Sequence, residues 1–236
     1  MINVEDILVI DIETVAAQKS FKDLDEDWQK LWNKKVANLD KTTSQTPEKW
    51  YDKAGIYAEF GKIVCIGFGA FYYENDVLKL KVKSLFGKDE KAILVDFANL
   101  LNKYYSKEKH ILCAHNGKEF DYPYICRRML VNGIKIPQIL DISDKKPWEI
   151  QHLDTLEFWK FGDYKNFTSL ALLAKLFEIP SPKDDIDGSM VNEVFWQNND
   201  VERISEYCKK DVATTAKLLT KLKFNIDLIS TDINII

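Results

Sequence analysis

The segment LVIDIET, Leu8 to Thr14, restricts the possible fold more than any other part of the chain. An apolar run typical of a buried strand is interrupted near its end by two acidic residues, Asp11 and Glu13. Because alternate residues of a strand point to opposite faces, these two carboxylates share one face. The other face carries Ile10, Ile12 and Thr14. We therefore predict a strand over residues 5–14 that buries one face and presents two carboxylates on the other.

The hydrophobic patterns that follow predict an α/β domain with a mixed central sheet. Segments beginning at Lys62 and Val77 are typical of strands, and the turn near Glu74–Asp76 favours a hairpin between them. Further patterns predict strands from His110 and His152, and helices over 89–105, from about Pro123, from Thr168 and over 200–222. Strands followed by alternating strands and helices indicate helices packed on a sheet, within a single domain of residues 1–236.

Residues 17–60 differ in character and are predicted to be a helical insertion. They are polar, and they contain Trp28, Trp32 and Trp50. Trp28 and Trp32 are four residues apart, so a helix would place them on one face. Two interpretations stay open: the tryptophans dock on the main body, or the segment forms a lid or the binding surface for a protein partner.

Composition and charge exclude several classes of protein. Apolar residues make up 46% of the 236 residues, which is typical of a globular chain rather than a disordered one. The net charge of −4 argues against a protein that coats nucleic acid through its own positive charge. An enzyme that binds a few nucleotides at a metal centre remains compatible with it, because the cation supplies positive charge.

The cysteines and the N-terminal sequence predict a cytoplasmic protein with no membrane partner. Cys65, Cys113, Cys126 and Cys208 lack zinc-site spacing and lie in apolar or amphipathic segments, which favours buried free thiols in a reducing compartment. The first 20 residues lack the features of a secretion signal, and no stretch is long and apolar enough to span a membrane.

Two more carboxylates stand at positions where a helix meets the core. Asp211 lies beside the apolar stripe of the last helix, one turn after Tyr207, so both project from the same side. Asp121 closes the run NGKEFD just before Pro123. Taken alone, Asp211 could reach water at the edge of the stripe, and Asp121 could simply cap a helix.

Together, the three motifs carry a resemblance to a known family. In order, they are DIE (Asp11, Glu13), NGKEFD (Asn116, Phe120, Asp121) and YCKKD (Tyr207, Asp211). DxE and YxxxD each occur a second time, at Asp200–Glu202 and Tyr72–Asp76, so it is their order and context that carry weight. The chain resembles 3′–5′ exonucleases of the DEDD superfamily, in the tyrosine-containing branch. It looks most like the proofreading domain of family B DNA polymerases.

The resemblance implies a ribonuclease H-like fold and a site for two divalent cations, Mg²⁺ or Mn²⁺. It assigns the metal ligands as Asp11, Glu13, Asp121 and Asp211, with Tyr207 orienting the attacking water. It also makes Thr14 a candidate contact for the substrate. For Asn116, contact with the substrate and holding the loop before Asp121 stay open. For Phe120, stacking on a base and packing in the core stay open.

The implied activity is hydrolysis of single-stranded DNA from its 3′ end. The same site could act on RNA instead, since the 2′-hydroxyl separates the two substrates and the motifs do not read it. The chain could also be a non-catalytic module that binds nucleic acid. A fourth possibility is an acidic protein that binds metal without turning over nucleic acid.

Overall fold

The computed structural model describes residues 2–39, 46–163, 165, 167–180 and 186–236. The strands are β1 (Ile7–Ala16), β2 (Gly61–Glu74), β3 (Val77–Phe86), β4 (Ile111–Ala114), β5 (Leu153–Asp154) and β6 (Ile233–Ile235). The α-helices are α1 (Glu26–Leu39), α2 (Pro47–Trp50), α3 (Glu90–Tyr104), α4 (Asp121–Val131), α5 (Thr155–Lys160), α6 (Leu170–Leu176), α7 (Val191–Glu193) and α8 (Val201–Leu219). Short 3₁₀ turns cover Val4–Asp6, Phe21–Asp23, Tyr51–Ile56, Gln138–Leu140, Pro147–Glu149 and Ser230–Asp232, and π turns cover Val194–Asn198 and Thr220–Phe224.

The six strands form one mixed sheet in the order β5-β4-β1-β2-β3-β6. β1, β2 and β3 are antiparallel neighbours, whereas β4, β5 and β6 each join the sheet in parallel. Asn75 and Asp76 connect β2 to β3, both with positive φ (52° and 61°), as a tight hairpin turn with the twist of the strands requires. The predicted hairpin and mixed sheet are confirmed, and the fold is ribonuclease H-like.

Helices cover both faces of the sheet. α3 and α4 pack on one face, where the even-numbered residues Leu8, Ile10 and Ile12 of β1 join their core. α8 packs on the other face, where Val9 and Val15 of β1 contribute. Asp11 and Glu13 are odd-numbered like Val9 and Val15, so their side chains point to the α8 face. The predicted alternation along β1 is therefore confirmed.

Two of the predicted elements differ in the structure. The strand expected from His152 pairs with β4 only at Leu153 and Asp154. There the Asp154 side chain accepts a hydrogen bond from the Leu156 N–H and begins α5, because an aspartate that caps a helix ends the strand before it. α4 begins at Asp121, two residues before Pro123.

The segment of residues 17–60 forms a small aromatic core of its own beside the end of β1. Trp32 is fully buried there with Tyr51 and Phe60, and Ala16 of β1 belongs to the same cluster. Trp28 shares the face of α1 but remains 42% exposed, with its ring edge-on to Phe60. Trp32 therefore packs mainly on side chains of its own segment, and Ala16 joins β1 to their cluster. Residues 40–45 of this segment lie outside the described part of the chain.

The four cysteines are free thiols, and three of them are buried; Cys126 is partly exposed. None of the helices in the described ranges is both long and apolar enough to cross a membrane.

Candidate active site

The first two carboxylates lie in the middle of β1, beyond the residues that pair with β4, on the face covered by α8. Asp11 pairs with Gly67 of β2 and Glu13 pairs with Cys65, just before a register shift between Glu13 and Thr14. A Cβ atom built on Gly67 would lie 2.8 Å from the Sγ atom of Cys208. Because Gly67 has no side chain, α8 can approach β1 closely enough to cover the carboxylates.

Asp121 lies at the start of α4 and reaches β1 along the strand edge that faces β4. The described strands pair with β1 on this side only as far as Val9, where β4 runs alongside. Beyond that point the Ile12 N–H donates to Asp121 Oδ1 at 3.2 Å. The N-cap of α4 is Phe120, which has no side-chain capping bond. The capping alternative for Asp121 is therefore wrong: its carboxylate is buried and satisfies the backbone of β1 between Asp11 and Glu13.

Tyr207 and Asp211 face the same carboxylates from α8. Both side chains are partly buried, and the Tyr207 hydroxyl is hydrogen-bonded to the Asp211 carboxylate. The charge of Asp211 acts on both Asp11 and Glu13. The alternative in which Asp211 merely reaches water at the edge of the stripe therefore does not describe this side chain.

Neighbouring carboxylates disfavour the ionisation of Asp11 and of Glu13. Burial, together with the charges of Asp121 and Asp211, raises the pKa of Asp11 well above its ordinary value. Burial and the charge of Asp11 raise the pKa of Glu13 in the same direction. Burial raises the pKa of Asp121 to about 7, with Asp154 contributing. A buried group of like charges is stabilised by a bound cation, and carboxylate oxygens are the donors that Mg²⁺ and Mn²⁺ prefer.

Burial and the neighbouring carboxylates also raise the pKa of the Tyr207 phenol. A phenol in this environment stays neutral at physiological pH. Its hydroxyl can therefore accept and donate hydrogen bonds, but it is a poor general base.

Cys208 joins the site, although the sequence indicated only a buried thiol. Its Sγ donates a hydrogen bond to Asp11 Oδ2 at 3.4 Å. One potential metal-ligand atom from each of Asp11, Glu13 and Cys208 lies within 4.8 Å of the other two. Its place on α8, three residues before Asp211 and next to Tyr207, is the sequence signal that could have identified it. A thiol is a softer ligand than a carboxylate, so this site differs chemically from one built of oxygen atoms alone.

Asn116 holds the loop before Asp121 by its backbone. It has a positive φ of 62°, and its N–H donates to Asp154 Oδ1 at 2.8 Å. The Lys118 N–H donates to the other oxygen of the same carboxylate at 3.2 Å. Asp154 is thus a buried residue that shapes the loop leading into α4. The local pattern Asp154-x-x-Glu157, typical of a helix start, was the available signal for its role.

Thr14 and Phe120 both line a cavity of about 550 Å³ beside Glu13. The Thr14 hydroxyl is hydrogen-bonded to the Tyr124 hydroxyl of α4. Phe120 packs against the core on the α4 side, with its ring 5.3 Å from that of Tyr124. The two alternatives for Phe120 are therefore compatible: one part of the ring packs in the core and another part faces the cavity.

Comparison with known proteins agrees with this architecture. Residues 56–232 match the model of a family described as "Predicted 3'-5' exonuclease related to the exonuclease domain of PolB". The matched range contains Asp121, Tyr207 and Asp211, and β1 precedes it. No curated protein sequence matches the chain.

A solved structure is similar in fold. It is the family B DNA polymerase from the hyperthermophilic archaeon Pyrobaculum calidifontis, with a TM-score of 0.55 and 15% sequence identity. The match covers 92% of this chain and 24% of the polymerase chain. The match to the family model extends over most of the sequence. The chain therefore belongs to the family of predicted 3′–5′ exonucleases related to the exonuclease domain of PolB.

Proposed function

We propose that this chain is a metal-dependent 3′–5′ exonuclease that removes nucleotides from the 3′ end of single-stranded DNA, through one catalytic domain of residues 1–236. The observation that carries the proposal is the convergence of four carboxylates and one tyrosine around the middle of β1. These residues come from three separate elements: β1, the start of α4 and the middle of α8. Their mutual electrostatic coupling is expected of a site that binds divalent cations.

The proposed metal ligands are Asp11, Glu13, Asp121 and Asp211, and the proposed cofactors are two Mg²⁺ or Mn²⁺ ions. Such ions, when bound, supply a hydroxide from water at neutral pH and stabilise charge on the phosphorus and on the leaving 3′ oxygen. In the overall reaction, a water oxygen bonds to phosphorus, the bond from phosphorus to the 3′ oxygen breaks, and a proton from the water ends on that 3′ oxygen as a hydroxyl. The products are a 5′-mononucleotide and a strand shortened by one residue.

Tyr207 is proposed to orient the attacking water through its hydroxyl. Its raised pKa argues for positioning rather than proton abstraction, because a neutral phenol holds its proton at the working pH. Asp121 keeps its orientation through the Ile12 N–H even without a metal. Cys208 restricts Asp11 in the same way by donating to its carboxylate.

DNA is proposed as the substrate because the fold is shared with a DNA polymerase. Thr14 and Phe120 are the proposed contacts for the terminal nucleotide, since both line the cavity beside Glu13. Asn116 acts in this proposal by shaping the loop before Asp121. The free cysteines support a cytoplasmic location.

The experiment is a gel assay on oligonucleotides labelled at either end. DNA and RNA strands of the same sequence are incubated with wild type and with Asp11→Asn, in Mg²⁺ and in Mn²⁺. Stepwise shortening of 5′-labelled DNA, with early release of a 3′ label, is expected from wild type and not from the variant. Shortening of RNA alone would identify an exoribonuclease. No cleavage with either ion would overturn the proposal.

A further inference from the structure

A cavity of about 550 Å³ opens directly beside the carboxylate cluster. Glu13 lines it, and so does Gly188, which lies on the segment before α7. A Cβ atom built on Gly188 would lie 3.9 Å from the Tyr207 hydroxyl oxygen. The cavity therefore lies beside one proposed metal ligand, Glu13, and its wall at Gly188 stands next to the Tyr207 hydroxyl. A nucleotide whose phosphate sits at the carboxylates would place its sugar and base here.

One wall of this cavity comes from the inserted segment of residues 17–60. The 3₁₀ turn Tyr51–Ile56 contributes Asp52, Lys53, Gly55 and Ile56 to the lining. The resemblance to polymerase exonucleases assigns no role to this segment. It nevertheless lines the same cavity as Glu13 and Thr14 of β1 and as Phe120, which precedes α4.

This wall is fixed to β1 and α4. The Tyr124 hydroxyl donates to the Gly55 carbonyl oxygen at 2.7 Å, and the Gln18 N–H donates to the Tyr51 hydroxyl at 3.2 Å. A Cβ atom on Gly55 would lie 3.0 Å from the Val15 carbonyl carbon, so a larger residue here would crowd the backbone of β1. The same Tyr124 hydroxyl is hydrogen-bonded to Thr14. The wall and the end of β1 are thus connected through one side chain.

The chemistry of the wall suits a nucleotide. Ile56 is a large apolar residue that is 53% exposed at the rim of the cavity, and Phe120 adds a second apolar surface. Lys53 and Asp52 bring one charge of each sign to the same wall, and the Lys53 ammonium lies over the Trp50 ring, 5.1 Å from its centroid. Exposed apolar and aromatic side chains cover the faces of unpaired bases, and cations accompany the backbone phosphates.

We propose that the segment Tyr51–Ile56 binds the 3′-terminal nucleotide, with Ile56 contacting the base. The inserted segment is then part of the substrate site rather than only a docked appendage. This inference rests on the proposed exonuclease function, because it assumes that a strand end enters the cavity. It adds a contact that comes from outside the three motifs.

The test uses Ile56→Ala, since an exposed side chain can be shortened without loss of the core. Steady-state cleavage of a single-stranded DNA oligonucleotide should show a KM raised about tenfold, on the scale of one stacked base, with kcat within about twofold of wild type. Binding of the mononucleotide dTMP, measured by calorimetry in Mn²⁺, should weaken by a similar factor. Ile56→Leu should restore both values.

The matched control is Leu31→Ala on α1. Leu31 belongs to the same inserted segment and is 52% exposed. Both KM and dTMP binding should match those of wild type in this variant. If wild type trims DNA and Ile56→Ala behaves like Leu31→Ala, the inference is overturned and the exonuclease function stands.

The opposite combination separates the two proposals. If wild type cleaves no strand but binds dTMP in a manner weakened by Ile56→Ala, the nucleotide site stands and the proposed activity fails. If wild type neither trims DNA nor binds dTMP, both are overturned.

Discussion

The carboxylate of Asp121 accepts a hydrogen bond from the backbone N–H of Ile12, the residue between Asp11 and Glu13. A helix on one side of the sheet edge is thereby joined to the strand that carries the first motif. The bond also fills the position on β1 that a longer β4 would have occupied. The third carboxylate is consequently placed by the backbone, before any cation binds.

Asp121→Asn should separate the structural role of this residue from its charge. The amide oxygen can accept the same hydrogen bond from Ile12, so the fold should be retained. Cleavage should fall by at least about 100-fold, since a metal ligand contributes several kcal/mol to catalysis. The measurements are the initial rate of 3′ trimming in Mn²⁺ and a thermal melt followed by circular dichroism.

The control for this variant is Glu119→Gln, which neutralises an exposed carboxylate two residues earlier. Its rate and its melting temperature should match those of wild type. An Asp121→Asn protein that trims DNA at the wild-type rate would remove Asp121 from the proposed metal site.

The wild-type and Asp121→Asn proteins should also differ in the pH dependence of metal-free stability. Asp121 has a folded pKa of about 7, against an ordinary value of 3.8 for the unfolded chain. Between these values the folded state binds more protons, so the Asp121 contribution to stability falls as pH rises. Asp121→Asn should therefore be more stable than wild type at pH 8, by on the order of a few kcal/mol. This advantage should shrink as the pH is lowered toward 4.

Urea unfolding in the presence of a chelator measures this difference. His152 titrates in the opposite sense, because burial lowers its pKa to about 4 and acid then destabilises the fold. That contribution is common to both proteins and cancels when their free energies of unfolding are subtracted. A difference that stays constant from pH 8 to pH 5 would contradict the raised pKa of Asp121.

Local periodicity was enough to predict the elements that carry the motifs. The alternation in β1 and the apolar stripe of α8 depend on residues a few positions apart, and the structure has both. The roles of Asp121 and Asp211 were ambiguous from the same short range, because capping a helix or reaching water requires the same spacing. Each role is decided by the backbone or side-chain group, distant in the sequence, that the carboxylate contacts in the fold.

The contact of Cys208 could not be predicted in this way. It depends on Gly67, 141 residues earlier in the chain, having no side chain where α8 crosses β2. Asp154 is a different case. The strand predicted there is short because the Asp154 carboxylate caps α5 and accepts a hydrogen bond from the loop at Asn116. The short-range pattern for a helix start was present, but it competed with a plausible strand.

Tyr207→Phe should lower kcat by about 10- to 100-fold, the scale of losing one orienting contact, and leave KM within about twofold. The ring remains to pack against the core, so the fold should be unaffected. Because the pKa of Tyr207 is raised, the phenol stays neutral across pH 6–9. The pH profile of kcat should therefore keep the wild-type shape. A limb that disappears in the variant would show that the tyrosine acts as a base.

The control is Tyr72→Phe in β2, which belongs to the second YxxxD sequence of the chain. Tyr72 lies in the β2–β3 hairpin, away from the motif residues. Its substitution should leave kcat and the pH profile at wild-type values. Loss of activity there would mean that the YxxxD spacing had been assigned to the wrong tyrosine.

Arg128→Ala should be among the most destabilising single changes, because it removes the cation that pairs with the buried carboxylate of Glu90. Arg128 of α4 donates from Nε and Nη2 to the two carboxylate oxygens of Glu90, at 2.9 and 2.6 Å. Glu90 also accepts from the Ile63 N–H at 2.7 Å, so one ion pair holds α3, α4 and β2 together. Removing the guanidinium should cost about 3–5 kcal/mol in the free energy of unfolding.

Two comparisons test this explanation by urea denaturation. Lys30→Ala breaks the Lys30–Asp27 pair, whose side chains are 70% and 88% exposed, and should cost less than about 1 kcal/mol. Arg128→Lys keeps the charge but loses the bidentate hydrogen bonding to Glu90. Its loss of unfolding free energy should therefore fall between those of the two alanine variants. An Arg128→Ala cost as small as that of Lys30→Ala would mean that the Ile63 N–H, the Asn132 side-chain amide and water are enough to stabilise the Glu90 carboxylate. The position of α4, and with it that of Asp121, would then depend on apolar packing rather than on this ion pair.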